Sequence, residues 1–478
     1  MWVHKMQQVK FLINGVSKTS DITANVIDPA TEEVFAQCHL STKDDVNKAV
    51  SAARTAFPAW SALSHDERKA KLMELAASLE ENMPELMELV TKESGKPMGG
   101  LNGVGSGMEV GGSIAWTQAT ASIELPVEVI QDDEVARIEV HRKPLGVVAS
   151  ITPWNWPLMI SIWHIIPALH AGNTVVVKPS PYTPVATSRF VEIANRVLPK
   201  GVLNLVHGDT EVGSILSTHE DINKLIFTGS TPTGKKIMQA SSVNLKRLTL
   251  ELGGNDAGIV LPGSDIAELA PKIFGAGFHN NGQTCAALKR LYVHESQYDE
   301  MCDELAKLAK NVKVGNGLEE GTELGPLQNA RQLQIVKSLV DDARENGGKI
   351  LAGGSETDGP GYFYKPTIIA NQTDGDRIVD EEQFGPALPV IKYSDLDEVI
   401  ARANRNENGL GGSVWSSDLD AASKVALQLE CGSVWINEHG AVQPNAPFGG
   451  VKQSGIGVEF GSYGLKEYTS IQTLKISK

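Results

Sequence analysis

The sequence predicts an α/β protein: a doubly wound parallel sheet, then a second α/β unit, with a small β element set apart. Three observations predict it. Apolar runs near 145–151, 174–178, 202–206, 224–228 and 248–252 alternate with helix-like segments near 158–170, 184–198, 211–217 and 234–242. Such alternation is the pattern of a parallel sheet covered on both faces. It resumes after residue 285, with strands near 288–293, 366–370, 387–393, 410–415 and 433–437 and helices near 296–311, 328–346, 395–404 and 418–429. Two strand-rich stretches, 123–142 and 468–476, fit neither unit, and pairing between subunits is the usual remedy for such exposed edges.

Ahead of the first sheet, 42–57 reads as a short amphipathic helix. Ser64-His-Asp-Glu67 is a capping box. Leu72, Leu75, Ala76 and Leu79, then Met83, Leu86, Met87 and Val90, lie on one helical face that Gly95 and Pro97 bring to a stop. The N-terminal region is therefore expected to be a helical layer.

The 478 residues allow about three domains of ordinary size. A net charge of −15 argues against nucleic acid as a main partner. Cys38, Cys285, Cys302 and Cys431 form no C-x-x-C pair and no zinc-like spacing with histidine, so free thiols in a reducing compartment and no bound metal are expected. The first ten residues carry Lys5 and Lys10 but no apolar signal-peptide core. The most apolar stretch, 153–172, is interrupted by Asn155, Pro157, His164 and Pro167 and does not read as a membrane span. A cytoplasmic protein without a membrane partner is the expectation.

Two segments carry chemistry. Glu251 ends an apolar run in Thr249-Leu-Glu-Leu-Gly-Gly-Asn-Asp256, and Cys285 sits in the polar turn Asn280-Asn-Gly-Gln-Thr-Cys-Ala286. Such a turn presents a sulfur together with backbone N–H groups, which suits a nucleophilic thiol. Asn155, Lys178, Gly229 and Glu251 all fall at or just after strand ends, where ligands of parallel sheets bind. Gly229-Ser-Thr-Pro-Thr-Gly234 follows a strand and opens a helix, so its amides can hold a pyrophosphate, or its glycines can simply allow close packing. Gly103-Val-Gly-Ser-Gly-Met-Glu-Val-Gly111 follows a helix instead and lacks the required spacing. The Gly229 loop is also a near miss to a P-loop, with Lys236 where Mg²⁺ binding needs Ser or Thr. A P-loop-like nucleotide hydrolase is thus a different-class alternative, as is an inactive binding protein on the same fold.

With Thr152-Pro-Trp-Asn-Trp-Pro157, Lys178-Pro-Ser180, Phe227-Thr-Gly-Ser-Thr-Pro-Thr-Gly234, Glu251-Leu-Gly-Gly-Asn255, Gly282-Gln-Thr-Cys285, Glu382-Gln-Phe-Gly-Pro386 and Pro447-Phe-Gly-Gly450 in order, the chain resembles the aldehyde dehydrogenase superfamily nearly end to end. The resemblance implies a Rossmann-like NAD(P)-binding domain over 1–122 and 143–252, a catalytic domain over 253–453, and an oligomerisation element over 123–142 and 454–478. It implies that Cys285 attacks an aldehyde, that Asn155 and the Cys285 amide hold the oxyanion, and that Glu251 activates water to release a carboxylic acid. Lys178 and Glu382 would contact the cofactor riboses, Gly229 and Ser230 the pyrophosphate, and Phe384 the nicotinamide. Thr152, Trp154, Ser180, Gly234 and Leu252 complete the implied cofactor set. A homodimer or homotetramer is implied as well.

Two departures bear on specificity. Pro181 stands where family members that prefer NAD often carry a glutamate, which leaves both NAD and NADP open. Trp163 stands where succinate-semialdehyde dehydrogenases carry an arginine, so ω-carboxylate aldehydes are disfavoured. Trp156, Ile160, Trp163, Val442 and Phe448 then suggest a funnel for an apolar or aromatic aldehyde, although Trp163 and Phe448 also suit plain core packing. A cofactor-free cysteine hydrolase would need a histidine on the thiol, and none of the eleven declares itself.

Overall fold

The computed structural model describes residues 6–478, so the first half of the stretch assessed for a signal peptide lies outside the described residues. The first α/β unit is an eight-stranded sheet in the order Gly455–Ile456, Arg247–Glu251, Lys224–Thr228, Val147–Ile151, Thr174–Lys178, Leu203–Leu205, Phe11–Ile13, Val16–Lys18. The five strands from Arg247–Glu251 to Leu203–Leu205 are parallel, and the added edge strands are antiparallel. Val147–Ile151, Thr174–Lys178 and Lys224–Thr228 are buried throughout, as strands covered on both faces must be. The chain winds one way from Val147–Ile151 and the other way from Lys224–Thr228, so the switch point lies between these neighbours. Ligands bind at such a crevice. The register sets Ile151 beside Lys178 and Thr228 beside Glu251, bringing the expected functional residues to one edge.

The second unit is a seven-stranded sheet in the order Lys349–Ala352, Thr367–Gln372, Ala387–Tyr393, Leu288–His294, Asp256–Val260, Gly411–Trp415, Ser433–Ile436, parallel except for its first strand. The strand–helix alternation is as expected, but it starts earlier. Asp256–Val260 and helix Ile266–Phe278, both unanticipated, form its centre. Asp256, Ala257 and Gly258 dilute the β-branched signal in this strand. The small residues are needed, because a Cβ on Gly258 would come within 2.6 Å of Leu288 Cδ1.

The N-terminal region is only partly the helical layer expected. Helices Lys43–Ser61 and His65–Glu81 form, and the Ser64 capping box is present, with the Glu67 amide donating to Ser64 Oγ at 3.2 Å. The long helix expected through Val90 instead breaks at Asn82 and restarts as Met83–Ser94, with Pro84 in its first turn. Gly95 ends it at φ +77°. Five short strands precede the helices: Gln7–Val9, Thr23–Ile27 and Val34–His39 form a sheet of their own, while Phe11–Ile13 and Val16–Lys18 join the large one. The Asn14-Gly15 turn between the latter two, with both residues at positive φ, is a hairpin signal the helical reading passed over. Ser106–Ala121 is also a helix, so the Gly103–Gly111 glycines open a helix that packs on others rather than a phosphate loop.

The two orphan stretches pair with each other. Thr469–Ser477 runs antiparallel to Ala136–Pro144 over nine residues, and Glu128–Asp132 lies on the other side of Ala136–Pro144. The preceding residues lie elsewhere: Gly455–Ile456 edges the large sheet, and helix Gly461–Lys466 packs on helix Pro157–His170. No helix among the described residues is long and apolar enough to cross a membrane.

Substituting valine for Gly258 forces a branched side chain into the central strand of the second sheet. Overpacking of this kind costs about 1–3 kcal/mol, and thermal unfolding of Gly258→Val is expected at a clearly lower temperature than that of the parent.

Candidate active site

The site forms where the carboxyl ends of the first sheet face the amino ends of the second. Asn155 and Glu251 follow or end strands of the first sheet, while Cys285 and Glu382 precede strands Leu288–His294 and Ala387–Tyr393 of the second. The strand-end rule that located Asn155, Lys178, Gly229 and Glu251 therefore describes half of the crevice.

The thiol loop is a short helical turn, His279–Gly282, whose Asn280, Asn281 and Gly282 all have positive φ (50°, 56° and 72°). Such backbone is strained for residues other than glycine and persists when its surroundings over-determine it. Asn280 Nδ2 donates to the carbonyls of Asn155 and Gln283, both at 3.1 Å. Gln283 Oε1 accepts from the Gln328 amide at 2.9 Å. At Gly282 a Cβ would lie 2.3 Å from the Gly385 carbonyl oxygen, so the loop packs directly on the segment bearing Glu382 and Phe384.

Asn155 is buried and donates through Nδ2 to Gln283 O at 2.9 Å, which leaves its second amide proton for another acceptor. Its own carbonyl accepts from Lys96 Nζ at 3.1 Å. Lys96 is in turn paired with Glu109, both side chains being fully buried. Glu109 Oε1 accepts from the amides of Leu158 and Met159 at 3.0 and 3.2 Å, capping helix Pro157–His170. Lys96 also lies 3.3 Å from the centroid of the Trp156 ring, whose Nε1 donates to Thr284 Oγ1 at 3.0 Å. Trp156 is thus held behind the thiol loop with Met159 and Ile160. Trp163 packs against this group, which joins Trp156 and Ile160 to the other residues expected to line the funnel.

Cys285 packs against Ala286, Leu410, Phe448 and Phe460, with Trp116, Trp163, Trp435 and Val442 around them. Trp163, Val442 and Phe448 therefore belong to the same packed cluster as Cys285. Trp116, Trp435 and Phe460 had gone unnoticed because they lie far away in sequence. Trp163 meets Phe460 edge-on at 4.7 Å and Trp116 at 5.6 Å. Burial pushes the Cys285 thiol up to about 12, with Lys289 opposing and Glu382, Asp256 and Glu251 reinforcing the shift. The sulfur is a thiol at neutral pH and needs a base.

Glu251 is 4% exposed, and neither carboxylate oxygen has a hydrogen-bond partner among the described residues. Burial raises its pKa, and the nearby Glu459 raises it further. Glu459, another residue the sequence did not announce, is itself pushed up by burial and restrained by Lys224. Its Oε1 lies 3.4 Å from His164 Nε2. Burial holds His164 neutral, at about 3, between Ser150 Oγ and Thr228 Oγ1.

The expected cofactor residues line the same crevice. Lys178, buried, donates to Pro179 O and Gly208 O, both at 2.9 Å, and keeps a third proton for a ribose hydroxyl. Ser180 Oγ accepts from the Tyr182 amide at 3.3 Å. The Thr152 amide donates to Lys178 O at 3.1 Å, tying the two strand ends together. Helix Thr231–Ala240 begins after Gly229 and Ser230, earlier than the sequence suggested; the Gly229 amide donates to Glu251 O, those of Thr233 and Gly234 donate to Ser230 O, and the Ser230 and Thr231 amides are left for an anion. Gly234 lies within that first turn, where a Cβ would come 2.6 Å from Leu252 Cδ2, so it serves close packing on Leu252. Lys235, the would-be P-loop lysine, pairs instead with Gln453 Oε1 at 2.8 Å. Trp154 meets Phe384 edge-on at 5.3 Å. Glu382 Oε1 accepts from the Gly254 amide at 3.2 Å, leaving lone pairs free for a ribose. These donors and acceptors fit a dinucleotide. No group of three or more metal-ligating side chains gathers among the described residues, and none of the described histidines hydrogen-bonds Cys285.

The comparisons agree with this geometry. The sequence model of the aldehyde dehydrogenase family matches residues 16–474. The chain is 40% identical to phenylacetaldehyde dehydrogenase of Pseudomonas fluorescens, over 98% of this chain and 96% of that protein. It is 38% identical to betaine aldehyde dehydrogenase of Bacillus subtilis, over 98% and 97% of the two chains. Its fold superposes on the NAD⁺ complex of an aldehyde dehydrogenase from Bacillus cereus with a TM-score of 0.95 at 36% identity, covering 98% and 97% of the two chains.

Replacing Lys96 with methionine strands the Glu109 carboxylate in the core. Breaking one side of a buried pair costs about 3–5 kcal/mol, so Lys96→Met is expected to melt well below the parent in thermal unfolding. Adding Glu109→Gln, which removes the charge but keeps an oxygen for the Leu158 and Met159 amides, is expected to restore much of the loss.

Proposed function

We propose that this chain, which belongs to the aldehyde dehydrogenase family and is an NAD(P)-dependent enzyme, oxidises an apolar or aromatic aldehyde to its carboxylic acid through a cysteine thioester. The observation that carries the proposal is the set of aromatic side chains that pack in one cluster with Cys285. Trp116, Trp163, Trp435, Phe448 and Phe460 offer a substrate ring edges and faces. Aromatic pairs of this kind contribute about 0.5–1.5 kcal/mol each beyond area burial. The similarity to a phenylacetaldehyde dehydrogenase supports the aromatic reading.

The chemistry follows from the site's charges. Glu251, unpartnered and in its basic form, takes the proton of Cys285, and the thiolate adds to the aldehyde carbon. The developing oxyanion is met by the free amide proton of Asn155 and by the Cys285 N–H. A preorganised donor of this kind is worth ~10²–10³ in rate. NAD⁺ or NADP⁺, bound by Lys178, Ser180, the Gly229–Ser230 turn and Glu382, supplies the hydride acceptor. With that first proton passed to solvent, Glu251 removes another from the water that attacks the thioester and returns it to the departing sulfur, releasing acid and regenerating the thiol. Pro181 places no carboxylate against a 2′-phosphate, so both cofactors are accepted.

The large sheet with its helices binds the cofactor and the seven-stranded unit carries the thiol. The exposed Val127, Val129, Ile130, Ile471, Leu474 and Ile476 of the three-stranded sheet suit contact with further copies of the chain, in a dimer or tetramer. Four unpaired cysteines are consistent with a cytoplasmic location.

With an aromatic aldehyde and either cofactor, Cys285→Ala is expected to abolish the absorbance rise of the reduced nicotinamide. Glu251→Gln is expected to retain a single-turnover burst and lose steady turnover; turnover at the parent rate would remove Glu251 as the base. The pH dependence has a definite sign. A carboxyl raised by burial is protonated at low pH and works as a base only above its pKa, so turnover falls as pH drops through the value of the Glu251–Glu459 pair. Glu459→Gln removes the like charge and is expected to move the acid limb of the kcat profile down by about one unit.

A further inference from the structure

A buried ammonium lies between the thiol loop and the cofactor carboxylate. Lys289 stands at the start of strand Leu288–His294 with its side chain 2% exposed. Its Nζ donates to the carbonyl oxygen of Cys285. The same Nζ is 3.1 Å from Glu382 Oε1 and 5.8 Å from the centroid of the Phe384 ring. A lysine is almost never fully buried without a partner, and here the partners come from the nucleophile and from the cofactor segment. Glu382 has little freedom on its other side. The Gly254 amide donates to Oε1, and a Cβ on Gly253 would lie 2.4 Å from Oε2.

We propose that Lys289 is a positioning residue that holds Glu382 in place for the cofactor ribose and at the same time lends its positive charge to the Cys285 sulfur. The proposal rests on the reading of Cys285 as nucleophile and Glu382 as a cofactor contact. Three charges oppose Lys289 at the sulfur: Glu382, Asp256 and Glu251. Asp256 also faces Glu382, His439 Nε2 lies 3.3 Å from Asp256 Oδ2, and His279 feels Lys289 from the far side of the loop. The ammonium is thus the cation set against three carboxylates around a thiol that burial already disfavours as thiolate. Its two roles work against each other. The closer Lys289 is drawn to Glu382, the more completely its charge is cancelled at the sulfur.

That opposition gives the test its signs. The full-length protein is treated with iodoacetamide over a range of pH, and labelling of the Cys285 peptide is followed by mass spectrometry. NAD⁺ affinity is measured separately by quenching of tryptophan fluorescence. Lys289→Met is expected to slow Cys285 labelling about tenfold at a given pH, a shift of about one unit in the profile, and to weaken NAD⁺ binding about tenfold as Glu382 loses its anchor. Glu382→Gln is expected to weaken NAD⁺ binding but to speed labelling, because a charge opposing the thiolate is gone. Lys289→Arg is expected to keep the parent labelling profile. Lys289→Gln retains a donor for the Cys285 carbonyl without the charge and gives the same readout should the methionine variant fail to fold. A parental profile in the uncharged variants, or slowing by Glu382→Gln as well as Lys289→Met, overturns the inference, since simple loosening of the loop moves both in one direction. Continued turnover by Cys285→Ala would instead overturn the underlying reading of the nucleophile.

Discussion

The backbone carbonyl and side-chain amide of Asn155 are the stitch on which the site depends. The carbonyl takes Lys96 from one side and Asn280, on the thiol loop, from the other, while the amide reaches Gln283 in that same loop. One residue thus fixes the carboxyl end of the first sheet against the entrance to the second. Each bond is buried, and the one from Lys96 is charge-assisted, worth about 1.5–3 kcal/mol net. The larger effect is that none of them can be given up singly. An unmet carbonyl or ammonium in this interior costs its full desolvation, so the group moves together or not at all. The second Asn155 amide proton is held in a precise place because everything behind it is over-determined.

The same dryness that makes those bonds strong sets the problem the chemistry must solve. Burial raises the thiol of Cys285 and the carboxyl of Glu251 alike, so it works against both anionic forms. A neutral thiol is a poor nucleophile and a neutral carboxyl no base. The raised carboxyl is nonetheless the better acceptor for the thiol's proton, because bases work best when their pKa lies near that of the medium. Lys289 opposes the rise at the Cys285 sulfur, while Lys224 favours the anion of Glu459, the neighbour whose charge raises Glu251.

Much of this was legible in the sequence, and the limits were physical. Long parallel strands such as Thr174–Lys178 are β-branched throughout because both faces are covered, so they read clearly. Asp256–Val260 did not, because tight packing against Leu288 requires glycine where a strand would normally show a branched residue. The break at Asn82 hid inside an unbroken apolar periodicity. Among site residues, Cys285, Glu251 and Asn155 lie in motifs whose local composition is unusual, and the structure brings all three to the crevice. Glu459, Lys289 and Lys96 are charged residues in ordinary surroundings. What marks them is burial, which depends on partners in other elements of the fold, from Glu109 for Lys96 to Glu382 for Lys289 and His164 for Glu459, and leaves no local trace. The motif around Trp156 was informative, but the side of the loop to which its ring turns is decided by Lys96 and Thr284.

The strained turn before Cys285 shows how these constraints combine. Three consecutive residues in the left-handed region are unfavourable for any chain, and two of them are asparagines, which tolerate that region better than most. The strain is held by contacts at both ends: Asn280 through its amide to Asn155, and Gly282 through its backbone against Gly385. The first contact belongs to the oxyanion side and the second to the segment carrying Glu382 and Phe384. A thiol placed by a relaxed turn would follow whichever neighbour moved. A thiol placed by a strained turn gripped from both sides can only sit where the oxyanion donor and the cofactor segment are both in register. The geometry needed for addition to a carbonyl and for loss of its hydrogen is therefore set by the same three residues.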